Sequence, residues 1–316
     1  MKLSALTKQY IELKQSMGSR FRSESVILKA FSKAMGDIDI TKAEPEEVLN
    51  YISGTGPVTL FWHRKHETLR GFYHFAIGRG YATYSPLPRT LPRPSRFFTP
   101  YIYSSEELHR LLEAAKQFGT SRTKLQSPTI HILILLLYGA GLRISEALSL
   151  KPQDINLSDS LLTIRESKFY KTRLVPIGIQ LTNALAAYME DRSRNGYPNH
   201  KISTFFITRS GEPVKRSAAE RAFCCIRKVA NVFRNDGARY QPRLHDLRHA
   251  FAVHRLVTWY RQGADVQRLL PLLSTYLGHI HIAATQRYLT MTPELLQEAS
   301  ARFENYARPK EVTHDR

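Results

Sequence analysis

The stretch LHDLRHAFA, residues 244–252, decides how the rest of the sequence is interpreted. If it is helical, His245, Arg248 and His249 share one face, because they are spaced three and four residues apart. Leucine and phenylalanine side chains at similar spacing form an adjoining apolar stripe, so the polar face should border a core. An arginine can hold two phosphate oxygens, and a histidine can transfer protons near neutral pH. The stretch alone fits either a phosphate-handling site or a capped helix with isolated histidines.

A second segment, GLRISEAL at residues 141–148, places an arginine shortly after a helix-ending glycine. Arg143 then opens the next helix, where backbone N–H groups also collect anions. Glu146 lies three residues further on, on the same helical face, and can hold the guanidinium in place. Since arginine and glutamate at this spacing usually form a surface salt bridge, the segment is weak evidence by itself.

The third segment combines YLGHIH, residues 276–281, with QRYL, residues 286–289. It sets His279 and Tyr288 nine residues apart, across a predicted turn and short helix. A tyrosine hydroxyl can act as a nucleophile, but its ordinary pKa of about 10 means that it needs a base or nearby cations. Because the sequence contains 16 tyrosines, Tyr288 would not stand out without the other two segments.

Taken together, the three segments resemble the tyrosine recombinase (phage integrase) family in residues, order and spacing. The resemblance implies that Arg143 and Arg248 hold the scissile phosphate while Tyr288 attacks it. The attack would form a covalent 3′-phosphotyrosine and free a 5′-hydroxyl. His245 would assist proton removal from the tyrosine, and His279 would hydrogen-bond the phosphate.

The family also has a lysine, in a turn between two strands, that protonates the leaving 5′-oxygen. Alignment on RLVP, residues 173–176, selects Lys168 for this role, and Lys171 is a second candidate. The sequence departs from the family pattern here, because Ser167 and Phe169 stand where glycines usually permit a tight hairpin. The loop that carries the lysine is therefore expected to differ in shape from the family's hairpin.

The same resemblance, which extends over about residues 101–307, implies supporting roles for Glu146 and His249.

Two other functions remain open at this point: a type IB topoisomerase, which uses similar chemistry, and a catalytically silent DNA-binding regulator. The small helical first domain and the His-Asp-Leu-Arg-His motif favour a recombinase over a topoisomerase. Every catalytic position is filled, which argues against a silent regulator.

The predicted fold is mainly α with a small antiparallel β-sheet, in two domains joined by a linker. Helical spacing covers four stretches before the linker, at residues 3–17, 23–35, 45 onward and 61–77. After the linker, strand patterns occur at residues 161–165, 173–177 and 203–208. The predicted parts are a helical core-binding domain at 1–84, a linker at 85–100, a catalytic domain at 101–308 and a disordered tail at 309–316.

The linker follows from the stretch SPLPRTLPRPSR, residues 85–96, in which four prolines prevent a helix or a central strand. Its arginines, Arg89, Arg93 and Arg96, are predicted to lie along the DNA phosphate backbone. A solvated connector without contacts is an equally good interpretation of the same residues.

Charge identifies the class of partner. The formal net charge is +19, and residues 1–100 and the remainder are both basic, so the excess is not confined to one tail. A polyanion such as double-stranded DNA is the expected partner, because phosphate contacts dominate such binding. An anionic membrane surface is the competing partner, but no basic amphipathic anchor is evident.

We expect a cytoplasmic protein, because the sequence offers no membrane span or signal peptide.

Cofactors and metals are not expected. A covalent phosphotyrosine conserves the phosphodiester bond energy, and arginines, lysine and histidines replace the charge that a metal would supply. His63, His66 and His74 imitate a ligand set, but no carboxylate or cysteine completes it, so they are interpreted as structural or phosphate-facing residues. The adjacent Cys224 and Cys225 are expected to be buried.

Assembly is predicted from the end of the chain. Thr292, Pro293 and Glu294 open a last amphipathic helix with an apolar side. The helix either packs on its own domain or, as in relatives, is buried in a neighbouring subunit. The second interpretation is preferred and implies a homo- or hetero-tetramer on two DNA sites.

Overall fold

The structure is a computed structural model. The structure describes residues 1–56, 58–93, 99–120, 123–165, 172–197, 203–238, 240–290 and 295–301. The chain divides into two compact units, Met1–Phe98 and Thr99–Arg316. Among the described residues, no helix is both long enough and apolar enough to cross a membrane.

The first unit is a small helical domain, as the sequence predicts. Its four helices are α1 (Leu3–Ser16), α2 (Arg22–Ala34), α3 (Pro45–Ser53) and α4 (Leu60–Gly78). Pro45 occupies the first turn of α3, where its missing N–H costs no hydrogen bond, and two glutamates follow it near the positive end of the helix dipole. The core consists of the apolar faces of these helices, with Phe31 and Phe72 fully buried.

Two of the three histidines that imitate a ligand set in this unit have structural surroundings. His66 is buried with its ring stacked on that of Trp62, 5.6 Å between centroids, and its Nε2 lies 3.2 Å from the carbonyl oxygen of Pro88. His63 makes an edge contact with the same tryptophan, whereas His74 is exposed. Within the described residues, no group of His, Cys, Asp or Glu could hold a metal ion.

The second unit is helical around a small sheet. Its helices are α5 (Ser105–Lys116), α6 (Ser127–Gly139), α7 (Ile144–Leu148), α8 (Ile179–Arg194), α9 (Arg216–Val229), α10 (Asp246–Arg261), α11 (Val266–Leu277) and α12 (Ala283–Gln286). The helix α6 is apolar along nearly its whole length, which fits its position in the centre of this unit. Since α10 packs against α6, the polar face of α10 is held at the edge of the core.

The sheet is antiparallel, with the order β1 (Ile155–Asn156), β2 (Leu161–Ile164) and β3 (Arg173–Pro176). The predicted pair of strands is confirmed, with Leu162 opposite Val175. The predicted strand at residues 203–208 is wrong: this segment forms only an isolated bridge between Ile207 and Pro213.

The reason lies in two consecutive phenylalanines. Phe205 and Phe206 are both fully buried, which the alternating faces of a half-exposed strand do not allow. Both rings pack against Tyr188, at centroid distances of 5.2 Å and 6.0 Å. The backbone N–H and carbonyl of Phe205 find hydrogen-bond partners outside a sheet. The N–H donates to the carbonyl of Leu150 at 2.7 Å, and the carbonyl accepts from Arg192.

The expectation that both cysteines are buried is also wrong. Cys224 and Cys225 are exposed on α9. The buried stripe of this helix passes through Ala222, Phe223 and Ile226, so the two cysteines fall on its outer face.

Candidate active site

The site begins at a tight turn between α6 and α7. Gly141 has φ +57°, and a Cβ there would lie 2.5 Å from the ring of Phe251 on α10, so only glycine fits. Two residues later, Arg143 caps the amino terminus of α7. Its backbone N–H donates to Glu146 Oε2 at 3.0 Å, and its guanidinium donates to Oε1 at 2.7 Å. The glutamate therefore fixes both the backbone and the side chain of Arg143.

Glu146 is the anion at the centre of the site and is 5% exposed. Besides Arg143, it accepts two hydrogen bonds from Arg173, at 3.0 Å and 2.9 Å. Burial alone would raise the pKa of Glu146, but the hydrogen bonds and positive charges of Arg173 and Arg143 lower it to about 2. The carboxylate is therefore ionised throughout the range in which proteins work.

Arg173 is a site residue that sequence reasoning missed, since it served only to align the preceding turn. It is the first residue of β3, and its Nε also donates to the carbonyl of Tyr276 at 2.9 Å. It thereby ties the sheet to the end of α11. A signal was available: Val175 is a core position, and residues two apart on a strand share a face.

Arg248 lies deepest, with 2% of its surface exposed. Its guanidinium donates to the carbonyl oxygens of Gly141 at 2.7 Å and Leu277 at 2.5 Å, and contacts His279 Nε2 at 3.1 Å. Burial lowers the pKa of Arg248 to about 10, and the charge of Arg143 acts in the same direction. The group is still protonated at neutral pH, so the pocket contains a buried cation, which also hydrogen-bonds Tyr288 and lies 3.9 Å from Glu146.

The end of α11 supplies a carbonyl group to each of two arginines. The last carbonyls of a helix have no partner inside it, and here those of Leu277 and Gly278 accept from Arg248 and Arg143. Gly278 has φ +67°, and a Cβ there would lie 2.9 Å from Nη1 of Arg173. The glycine is thus required both for the turn and for the close approach of the guanidinium.

His279 follows this glycine and faces the pocket. Its Nδ1 is 2.7 Å from Thr285 Oγ1, and its Nε2 faces Arg248. Burial lowers its pKa to about 4, with further lowering by Arg248 and Arg143. A neutral ring that accepts from Arg248 at Nε2 carries its proton on Nδ1, which can donate to the threonine.

Tyr288 lies in a 3₁₀ turn, Arg287–Thr290, directly after α12. It is 3% exposed, and its ring stacks on that of His279 at 6.1 Å between centroids. Its hydroxyl lies 3.1 Å from Nδ1 of His249. Burial raises the pKa of Tyr288, while the charges of Arg248 and Arg143 oppose that rise. In the absence of substrate the hydroxyl is therefore neutral.

The two histidines of the opening stretch have different surroundings. Their rings meet edge to face at 4.9 Å, but His249 bonds the Tyr288 hydroxyl, whereas no described residue hydrogen-bonds His245. Burial lowers the pKa of His245 to about 4 and that of His249 to about 3, and the charge of Arg248 lowers both further. Sequence reasoning placed the proton transfer at His245 and gave His249 only a supporting role.

The structure thus brings together seven of the residues singled out from the sequence: Arg143, Glu146, His245, Arg248, His249, His279 and Tyr288. Lys168, Lys171 and Arg96 lie outside the described residues. Arg89 and Arg93 belong to the first unit, where both are exposed.

The electrostatic balance of the site favours an anionic ligand. Three guanidiniums, those of Arg143, Arg173 and Arg248, surround the single carboxylate of Glu146. The histidines are neutral, so the described pocket has an excess of two positive charges. A guanidinium can donate to two phosphate oxygens at once, so Arg143 and Arg248 are well suited to hold a phosphodiester. The hydroxyl of Tyr288 lies beside Arg248.

Comparison with protein families gives one match that covers most of the chain. Residues 102–294 match the model described as the phage integrase family. A putative integrase/recombinase, y4rB of Sinorhizobium fredii, is 34% identical over 94% of this chain and 95% of its own length. Tyrosine recombinase XerD of Caulobacter vibrioides is 30% identical over 82% of this chain and 80% of its own length.

Solved structures share the fold. The integrase of the Tn1549 transposon, solved in complex with transposon right end DNA, superposes with a TM-score of 0.72 at 15% identity and covers 98% of this chain and all of its own. A lambda integrase dimer bound to a core site gives a TM-score of 0.66 at 17% identity, covering 93% of this chain and 97% of that one. At such identities the likeness concerns the fold alone.

Proposed function

This chain belongs to the phage integrase family of tyrosine recombinases, and we propose on that premise that Tyr288 is the nucleophile with which it cleaves and rejoins DNA. The protein is a site-specific recombinase. The observation that carries the assignment is the position of the Tyr288 hydroxyl, which is buried beside Arg248, His279 and His249.

The chemistry follows from these surroundings. Arg143 and Arg248 hold the scissile phosphate and neutralise its charge as the pentacoordinate phosphorane forms. Tyr288 attacks phosphorus, the bond to the 5′-oxygen breaks, and the DNA 3′-phosphate stays on the tyrosine. Attack by a 5′-hydroxyl reverses these steps and restores a phosphodiester. The bond energy is retained in the phosphotyrosine, so rejoining needs no external energy source.

Other residues prepare the phosphate and the leaving group. Glu146 fixes the Arg143 guanidinium, and His279 faces the phosphate position beside Arg248. Among the described residues, none hydrogen-bonds the ring of His245, and in this proposal that ring contacts the substrate. Lys168 protonates the leaving 5′-oxygen in this proposal, and Lys171 is the alternative donor.

Double-stranded DNA is the proposed partner. The net charge of +19 supports it, since phosphate contacts release counterions and make such binding salt-sensitive. We place Arg89, Arg93 and Arg96 along the phosphate backbone, where they would contribute affinity without reading sequence.

Assembly into a tetramer on two DNA sites, through the helix that follows Pro293, is part of the proposal. The described residues 295–301 are helical and have two sides. Leu295 is buried in the core of its own unit and Glu298 pairs with Arg261 on α10 at 2.7 Å, while Leu296 is exposed. The exposed apolar side chain is available to a neighbouring subunit.

Trapping of a covalent adduct tests the nucleophile. A library of nicked duplexes with a randomised segment would be incubated with the protein in EDTA, and the trapped strands sequenced to define the preferred site. We expect an adduct on Tyr288 that Tyr288→Phe abolishes. Tyr138→Phe is the matched control, because its hydroxyl bonds His254 Nδ1 at 2.9 Å in the same unit. Absence of any adduct between the wild-type protein and the whole library, or an adduct that persists in Tyr288→Phe, would refute the proposed chemistry.

A further inference from the structure

The nucleophile must lose a proton, and two histidines are close enough to be considered. We infer that His249, rather than His245, takes the proton of Tyr288 during cleavage and returns it during rejoining. The inference rests on the proposed function. Its basis is direct contact: Nδ1 of His249 lies 3.1 Å from the Tyr288 hydroxyl, within the range required of a general base.

His249 is held by its helix, by a neighbouring ring and by its hydrogen bond to the tyrosine. It lies in the first turns of α10, next to Arg248 in sequence, and the edge of the His245 ring packs against its own ring. A neutral histidine that accepts at Nδ1 carries its proton at Nε2, so the lone pair already points at the hydroxyl. Transfer therefore needs no change of rotamer.

Substrate controls this base electrostatically. The groups that face His249 are His245 and Arg248 on its own element, Arg243 before it, and Arg287 and Tyr288 from the segment packed against it. None of them is an anion in the free protein, and burial together with these neighbours keeps the pKa of His249 low. A phosphodiester bound at Arg248 adds a negative charge close to the ring, which favours its protonated form.

The step balances as a proton transfer coupled to substitution at phosphorus. The O–H bond of Tyr288 breaks, its proton moves to Nδ1 of His249, and the electron pair of the phenolate forms the bond to phosphorus. The bond from phosphorus to the 5′-oxygen breaks, and that oxygen takes a proton from the general acid. In rejoining, the imidazolium of His249 protonates the departing tyrosine oxygen.

This assignment gives the two histidines different tasks. His245 is hydrogen-bonded by no described residue, so it is available to donate to a non-bridging phosphate oxygen. His249 is engaged by the nucleophile and is less suited to contact the phosphate. Loss of either should slow cleavage, but only loss of His249 should make the rate depend on the acidity of the tyrosine.

The test uses this dependence. His249→Asn retains an acceptor near the Nδ1 position but cannot take a proton, and it should slow single-turnover cleavage about 100-fold. Replacement of Tyr288 by 3,5-difluorotyrosine makes the phenol more acidic and should raise the cleavage rate of the His249→Asn variant at least tenfold. The His249→Asn rate should also rise with pH between 7 and 9, because the phenol must then ionise unaided.

Two controls keep the outcome decisive. His254→Asn removes a histidine on the same helix that bonds a different tyrosine, Tyr138, at 2.9 Å, and it should leave cleavage unchanged. His245→Asn should be slow and not restored by the fluorinated tyrosine. Rescue of His245→Asn instead, or no rescue of His249→Asn, would overturn the inference while leaving the nucleophile intact. Failure of the wild-type protein to form an adduct would instead reject the proposed function itself.

Discussion

Replacement of Glu146 by glutamine should destabilise the unit that carries the site, because it removes a buried negative charge shared by three arginines. The carboxylate accepts hydrogen bonds from Arg143 and Arg173 and lies 3.9 Å from Arg248. Glutamine keeps the shape and one acceptor oxygen but removes the negative charge. Three guanidiniums would then be held together in a buried region without the anion that offsets their repulsion.

The magnitude follows from the pKa of the carboxyl group. It falls from an ordinary value of 4.5 to about 2 in the folded protein. At about 1.4 kcal/mol for each pKa unit, this difference corresponds to about 3 to 4 kcal/mol of stability at pH 7. Because the folded-state value is the lower one, the contribution is complete above pH 4.5 and is lost as the pH falls through that value toward 2.

Urea denaturation of the full chain measures this contribution. The sequence contains two tryptophans, Trp62 in the first unit and Trp259 on α10 in the second. In a Trp62→Phe background, fluorescence therefore reports on the unit that carries the site. Glu113→Gln is the matched control, because Glu113 also pairs with a basic residue three positions away, Lys116, but both side chains are about half exposed.

Two results would refute the reasoning. One is a difference between Glu146→Gln and wild type below about 1 kcal/mol at pH 7, which would mean that the buried charges are compensated in another way. The other is a difference that does not narrow between pH 5 and pH 3, since protonation of the carboxyl group must bring the two proteins together. The Glu113→Gln control should leave the transition nearly unmoved at every pH.

Two further predictions concern the edges of the site. Gly278→Ala should reduce adduct formation at least tenfold, because the added Cβ would displace the Arg173 guanidinium. Gly237→Ala is the control, since Gly237 has a similar φ of +70° but open space around it, and this variant should form the adduct normally. Equal activity of the two variants would contradict the packing argument. For the general acid, a 5′-bridging phosphorothiolate substrate should restore cleavage by Lys168→Ala, since a thiolate leaves without a proton. Rescue of Lys171→Ala instead would reassign the acid.

Elements with local signals were predictable from sequence. The capping box that begins at Ser104 is formed in full, and Pro45 opens α3 as its residue type requires. The failures depend on tertiary packing. The stretch from 203 to 208 has strand composition, yet Phe205 and Phe206 are held in the core by Tyr188 and by backbone partners far away in sequence. Composition cannot reveal such partners.

The site divides in the same way. Residues with a fixed spacing in a motif, such as Arg248 and Tyr288, could be singled out in advance. Arg173 could not be assigned a function that way, because its partners Glu146 and Tyr276 are 27 and 103 residues distant. In most strands the apolar side chains face the core and the charged ones face solvent. In β3 the reverse holds, since Leu174 is 61% exposed while the side chain of Arg173 is 11% exposed. A buried arginine beside an exposed leucine indicates that the arginine has a partner of its own.

The excess of positive charge in the pocket acts differently on the histidines and on the proposed nucleophile, because it lowers the pKa of both kinds of group. Arg143, Arg173 and Arg248 exceed Glu146 by two charges, and this field, added to burial, keeps the histidines neutral. Burial keeps the tyrosine proton in place as well, since it raises the pKa of Tyr288. In the mechanism we propose, a phosphodiester removes part of the excess, which increases the affinity of His249 for the proton that Tyr288 loses. Substrate binding and activation of the nucleophile are therefore coupled in this mechanism, because both depend on the negative charge of the phosphate. A methylphosphonate substrate, which lacks that charge, should bind without raising the proton affinity of His249 to the same degree.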